Sequence, residues 1–316
     1  MDSDQAFTYL PIIYTCFVAI LGACFGSFLN VVIWRVPEKM NLSYPPSHCP
    51  KCNAPIRAYD NIPIVSWLLL RGKCRSCHAS ISVRYPLVET FSFLCALIVA
   101  LAVICFGWNG SSYSALAWDG YSDFVTTWSL SVSHDPLGIN RSYVESQHLR
   151  LLAQSVGLSL TYMALLDAVL MLGFVLYDKN RVPGALLITS VVILLASFLY
   201  VLYLNNFSLN RLTKLLALSL LSGCAVPALF YRTTPRAIFL TKLTLGALVG
   251  VLLGAFTSFP ILLACELLAR VFQRKVHKNL YGVTVALLSL ATLVIVTFEY
   301  VLQRNFAPVF LSAYGS

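Results

Sequence analysis

Four cysteines fall within one polar stretch of this chain, as Cys49-Pro-Lys-Cys52 and Cys74-Arg-Ser-Cys77. Each Cys-x-x-Cys presents two thiolates from one tight turn, and two such turns make the tetrahedral four-sulfur cage that zinc prefers. Two disulfides or unrelated free thiols are the competing readings of the same residues. The compartment that the stretch occupies discriminates between them, and the elements around it set that compartment.

The chain is 58% hydrophobic and only 11% charged over 316 residues. Soluble domains carry about a quarter charged residues, so the composition implies an all-α polytopic membrane protein in contact with membrane lipid. The net charge of +9 is not read as a nucleic-acid footprint, because the positive residues sit in short loops between apolar runs. They read instead as orientation signals, and no nucleic-acid partner is expected. Apolar runs of spanning length lie at roughly 8–33, 87–107, 151–177, 184–204, 211–231, 237–271 and 279–302. The first is too long for the apolar region of a cleavable signal and follows Met1-Asp2-Ser3-Asp4, so it reads as a span.

The loop after that run holds Arg35, Lys39, Lys51, Arg57, Arg71, Lys73, Arg75 and Arg84 against Glu38, Asp60 and the loop-end Glu89. The positive-inside rule predicts a cytoplasmic loop over 35–86 and an N-terminus on the outside. Residues 108–150 then face outward, carrying Asp119, Asp123, Asp135 and Glu145 together with Tyr113, Trp118, Tyr121 and Trp128 as interfacial aromatics. Inside and outside turns follow near Lys179 and Arg181, then near Asn205 and Asn206. The run 237–271 is flanked by cations at both ends: Arg232 and Arg236 before it, Arg270, Arg274, Lys275 and Lys278 after it. As one helix it would reach about 52 Å, against a hydrocarbon core of about 30 Å. Two spans turning near Thr257-Ser258-Phe259-Pro260 satisfy both facts. The expected plan is about eight transmembrane helices with both termini periplasmic, in three parts: 1–107, the periplasmic loop 108–150, and a six-span region 151–316.

Topology now bears on the cysteines. A cytoplasmic loop is reducing, which disfavours disulfides and leaves a structural zinc knuckle held by Cys49, Cys52, Cys74 and Cys77. The metal would also order a long polar loop that has no apolar core of its own. His48 and His78 abut the cage as solvated or supporting groups. Cys16, Cys24, Cys95, Cys105, Cys224 and Cys265 lie in apolar runs and read as ordinary buried residues.

The first run ends Gly22-Ala23-Cys24-Phe25-Gly26-Ser27-Phe28-Leu29-Asn30-Val31-Val32-Ile33-Trp34-Arg35-Val36-Pro37. On physics alone this is a helix interface of small residues with one amide near its end. As a string it resembles the G-S-F-L-N-V-V-x-x-R-x-P signature of type 4 prepilin peptidases, membrane enzymes that remove prepilin leaders and N-methylate the new terminus. Tyr59-Asp60-Asn61-Ile62-Pro63-Ile64-Val65-Ser66-Trp67, Arg71-Gly72-Lys73-Cys74 and Arg84-Tyr85-Pro86-Leu87-Val88-Glu89 are similar to further motifs of that family. The resemblance covers residues 21–91. It implies a bacterial inner-membrane protein acting on type 4 prepilin-like or type II secretion pseudopilin precursors, with S-adenosylmethionine as methyl donor.

The second half departs from the family's pattern. The resemblance implies two catalytic aspartates, which share a proton and activate water between them. Anchored on Pro183, Leu176 stands where the family's first catalytic acid would be, Asp178 falls on its neighbour, and Gly184 replaces a final Asp. Anchored on Lys242-Leu243, Leu240 stands at the second position, and no aspartate follows Asp178. Asp178 is therefore the one catalytic candidate, its alternative being an ion-paired helix-end carboxylate beside Lys179 and Arg181. Asp167 lies about 16 Å along the helix from Asp178, too far for a dyad, and pairs with a polar neighbour or lines a cavity. Glu266 reads as an i,i+4 partner of Arg270, and Glu299 as a residue near the outer end of the last span. Gly246 and Gly250 read as helix packing, not as a cofactor loop. The competing function is a proteolytically inactive relative serving as a prepilin-binding or assembly scaffold. A transporter is disfavoured because intramembrane polar residues are few and no inverted repeat is visible.

Overall fold

A chain in lipid has no water to bond, so apolar runs satisfy their own backbone groups as helices. The computed structural model describes residues 3–105, 141–179, 181–204, 209–276 and 280–295. Helix α1 covers Ser3–Arg35, a short α2 covers Val65–Leu69, and α3 covers Arg84–Ala100, continued by a wider π-turn to Cys105. Then come α4 (Arg141–Lys179), α5 (Gly184–Leu204), α6 (Leu209–Leu229), α7 (Arg236–Leu253), α8 (Ala255–Val276) and α9 (Tyr281–Ile295). Among the described residues the only extended pairing is two isolated bridges inside the cysteine loop.

The protein is thus an all-helical, polytopic membrane protein. Four segments are long and apolar enough to span: Ile12–Arg35, Arg84–Val103, Val156–Lys179 and Gly184–Val201. Leu216–Leu229, Ile238–Leu253 and Tyr281–Ile295 are shorter apolar helices. Of the eight spans expected, four therefore reach full length among the described residues.

Helix α4 is the hub. It packs against α1, α3, α5 and α7, and 83% of its spanning window is buried against 22% for α5. Leu158, Leu165, Leu166, Leu172, Val175 and Leu176 are fully enclosed along it. On one side α1 and α3 form a tight pair, in which a Cβ on Gly26 would lie 2.7 Å from Glu89 Cα. On the other, α6, α7 and α8 form a second cluster, in which a Cβ on Gly246 would lie 2.2 Å from the Gly223 carbonyl. Between membrane helices the attraction is packing itself, so small residues let backbones approach where larger ones would hold them apart.

Three details differ from the expectation. The run 237–271 does divide, but at Gly254 and not at 257–260. Gly254 has φ 85° and ψ 173°, a backbone open essentially to glycine, whereas Pro260 is absorbed inside α8. The loop expected over 108–150 is shorter at its far end, because 141–150 are already the first turns of α4. Its remainder, 108–140, lies outside the described residues, as do the Asn205-Asn206 turn and Glu299. Finally, Cys95 and Cys265 are buried as expected, but Cys16 and Cys24 are exposed on α1, where lipid accepts a small apolar thiol.

Gly246→Leu is expected to force α6 and α7 apart and lower the thermal unfolding midpoint of the detergent-purified protein. Gly184→Ala, at a glycine with nothing within 4 Å, should leave the midpoint unchanged. Equal midpoints for both variants would contradict the close-packing account.

Candidate metal centre and intramembrane charges

The cysteine module is one small unit used twice. In the first copy, Cys49 N–H donates to Ala54 O at 3.0 Å and Asn53 N–H to Cys49 O at 2.9 Å. In the second, Cys74 N–H donates to Ala79 O at 2.8 Å and His78 N–H to Cys74 O at 3.0 Å. Asn53 and His78 both sit in the left-handed region, at φ 55°, which turns each chain back after its second cysteine. Asn and His are among the non-glycine residues that tolerate this best. The signal was present in the sequence, as Cys-Pro-Lys-Cys-Asn-Ala and Cys-Arg-Ser-Cys-His-Ala.

The two turns face each other, and their four sulfurs lie within 4.8 Å of one another. Cys49 Sγ is 3.8 Å from Cys77 Sγ, and Cys52 Sγ is 4.0 Å from Cys74 Sγ. A zinc ion with sulfur ligands at about 2.3 Å in a tetrahedron separates them by about 3.8 Å, so the donor set fits that metal. The Cys52 and Lys51 backbone N–H groups draw the Cys49 thiol down to about 6. The Ala54 backbone N–H also draws on Cys52, but the sulfurs of Cys77, Cys49 and Cys74 crowd it, with burial adding to their effect, and its thiol is pushed up to about 11. Four thiolates cannot share so small a space without a cation among them. His48 Nδ1 lies 2.9 Å from Pro46 O, in the role of a supporting group.

The motif residues around the cage do a different job: they hold it to the helices. Arg35, buried at the end of α1, donates to Asn41 O and Leu42 O at 3.0 Å each and to Pro45 O at 2.6 Å. Asn30 Nδ2 donates to Tyr85 O at 3.0 Å, joining α1 to the start of α3. Glu89 accepts the Ile64 N–H at 2.7 Å. Ile64 has φ 63° and ψ −54°, and Val65 N–H bonds Pro63 O at 2.6 Å, a tight turn strained for a β-branched residue. A charge-assisted bond from a buried carboxylate offsets that strain. Across the module, Arg75 donates to both oxygens of Asp60 at 2.7 and 2.6 Å and holds that carboxyl below its usual range.

Sequence reasoning placed Asp178, Leu176 and Leu240 at or beside the expected peptidase positions. Leu176 is fully buried in the core, whereas Leu240 is 56% exposed on the outside of the bundle. Asp178 is ion-paired with Arg84, and the adjacent Lys179 pairs with Glu38 while lying 5.6 Å from the Trp34 ring centre. Asp167 is buried and accepts a bond from Ser92 Oγ at 3.0 Å. Glu38, Asp60, Glu89, Asp167, Asp178 and Glu266 each meet a cation, a hydroxyl or a backbone N–H.

The feature that sequence reasoning missed is around Glu266. The expected i,i+4 pair with Arg270 is present, its Nε at 2.8 Å, but Glu266 is 1% exposed and also holds Lys242 Nζ at 2.6 Å. Lys242 also stacks 4.4 Å from the Tyr281 ring centre, and Arg270 lies 4.4 Å from that of Phe230. Acid and lysine are 24 residues apart on different helices, and no local pattern could pair them.

A polytopic helical bundle with a four-cysteine module between its first two spans is the class that fold and site define. Residues 20–103 match the Bacterial Peptidase A24 N-terminal domain family, so the motif resemblance over 21–91 holds for that region. The chain is 40% identical over 134 residues to the prepilin leader peptidase/N-methyltransferase of Aeromonas salmonicida strain A449, covering 34% of this chain and 46% of that protein. It is 45% identical over 108 residues to the enzyme of that name from Myxococcus xanthus, covering 34% and 31%. It is 39% identical over 132 residues to a type 4 prepilin-like proteins leader peptide-processing enzyme of Escherichia coli, covering 36% and 49%. The chain spans less than half the length of these curated relatives. No solved structure matches it.

Metal analysis of the purified protein is expected to find zinc in equimolar amount and to find it lost in Cys74→Ser. Metal content that is nil, or unchanged by the substitution, would remove the cage. In the bundle, Glu266→Leu leaves two cations uncompensated and should cost about 3–5 kcal/mol. The double variant Lys242→Met/Glu266→Leu should recover much of that loss in a thermal or denaturant melt.

Proposed function

We propose that this protein engages type 4 prepilin-like or pseudopilin precursors in the bacterial inner membrane, with its zinc module cytoplasmic and both termini periplasmic. The observation that carries this reading is the use made of the shared motif residues. Arg35 and the Ile64–Glu89 bond seat the module against α1 and α3, Asn30 joins those two helices, and Trp67 closes the module on itself. These residues lie within the segment that matches the Bacterial Peptidase A24 N-terminal domain family and relatives named as leader peptidases. Zinc in this site is structural: with all four positions taken by cysteine it has no open coordination site for a substrate.

Leader cleavage by an aspartyl dyad has no support in the bundle. A dyad needs two carboxylates that share one proton, and Asp178 faces Arg84 instead. An ion pair with a guanidinium from another helix is the kind of contact that docks helices together. We therefore favour a non-cleaving prepilin-binding or assembly role, with Asp178 fastening α4 to the N-terminal unit. Cleavage through Asp178 is the second reading, favoured by its position two residues from the expected catalytic site and its partial exposure. S-adenosylmethionine enters only through the names of the relatives. The cavity lined by Ser190, Val191, Leu194, Cys224, Leu243, Thr244, Ala247 and Leu248 does not fit it. Its hydroxyls are spent on their own helices, Ser190 on Leu186 O and Thr244 on Leu240 O.

Purified full-length protein incubated with a radiolabelled prepilin is expected to retain the precursor in a pull-down without converting it to the shorter form. Conversion that is lost in Asp178→Ala would establish the second reading. Conversion unaffected by Asp178→Ala would refute both assignments of the acid.

A further inference from the structure

The module's short helix α2 has two unlike faces. Ser66 is buried, with its hydroxyl donating to Tyr59 O at 2.9 Å and accepting the Ile62 N–H at 3.0 Å. Trp67 turns inward as well, its Nε1 donating to Ile81 O at 3.3 Å and its ring closing over Gly72, where a Cβ would lie 2.8 Å away. That leaves Val65, Leu68 and Leu69 outward, at 47%, 61% and 76% exposure. Leu69 is more exposed than Phe17 on the outer face of α1, at 58%, and Leu68 slightly so. Three apolar side chains in a row would be an odd choice for a surface meeting only water.

Their depth is fixed by the bond from Ile64 to Glu89. Glu89 lies five residues into α3, about 7.5 Å along the helix from Arg84. The backbone just before α2 is therefore held level with the second turn of a spanning helix, at the membrane boundary. Directly after α2 come exposed Arg71 and Lys73, in a loop whose residues 35–86 hold eight Lys or Arg against Glu38 and Asp60. An apolar tip flanked by cations, held at interfacial depth, matches a bilayer surface bearing anionic headgroups.

We propose that α2 is an interfacial anchor, inserting Val65, Leu68 and Leu69 into the anionic leaflet from which the cysteine module emerges, with Arg71 and Lys73 at the headgroups. The anchor would press the module flat against the membrane, independently of whether the protein binds or cleaves a precursor. It rests on the spanning role of α3 and not on the prepilin reading.

The test is a photoreactive benzophenone amino acid at Leu69 of the full-length protein, with Phe17 as the lipid-facing reference. The protein is reconstituted in vesicles of phosphatidylethanolamine and phosphatidylglycerol, with metal content checked to show the module intact. Illumination is expected to give phospholipid adducts at 69 comparable to those at 17. The yield at 69, but not at 17, should fall several-fold in Arg71→Gln/Lys73→Gln or when phosphatidylcholine replaces phosphatidylglycerol. Adducts to a second copy alone, or none at 69 while 17 reacts, would overturn the anchor. A yield at 69 indifferent to both changes would overturn its anionic preference.

Discussion

Glu89 holds the Ile64 N–H, and that bond, with those of Arg35, fixes a polar four-cysteine module to an apolar hairpin. The carboxylate is buried where α1 and α3 touch closely, beside Gly26, whose missing Cβ lets the two backbones meet. A burial of this kind is unfavourable unless the acid is bonded, and here the partner is a backbone group in a strained turn. The pair therefore constrains where the loop can go. The Asn30 amide and the Arg35 guanidinium extend the same logic, one spending a buried polar group on a carbonyl at the start of α3 and the other on loop carbonyls.

The second half of the chain is organised by charge in a different way. Lys242, Glu266 and Arg270 form a compact group, the first two buried and Arg270 partly exposed, packed against Tyr281 and Phe230. It lies in the stretch where the resemblance leads one to look for a reactive acid, yet its one carboxylate is saturated by two cations. Interactions of this type fix which helices sit side by side more than they add stability. In this half of the chain the buried acid serves as part of an electrostatic latch between helices.

Much of this was legible in the sequence, and what was not has a common cause. The cysteine cage could be read because ligand type and spacing are local, and the spanning runs because apolar length is local too. The division of 237–271 followed from flanking charges, but its position did not, since Gly254 takes a backbone that only the folded chain reveals. The Glu266–Lys242 contact and the Glu89–Ile64 bond join residues far apart in sequence, and no periodicity marks them. Asp178 illustrates the limit best: its neighbours Lys179 and Arg181 suggested a local partner, whereas the structure supplies Arg84 from another helix.

The bonds that seat the cysteine module all fall between Asn30 and Glu89. Ribosomes deliver the chain from its N-terminus, so these partners are available long before α4 has been made. The contacts that hold the cysteine module to the first hairpin therefore need nothing from the second half of the chain. Arg84 and Glu38 are the points at which that unit meets the central helix, through Asp178 and Lys179.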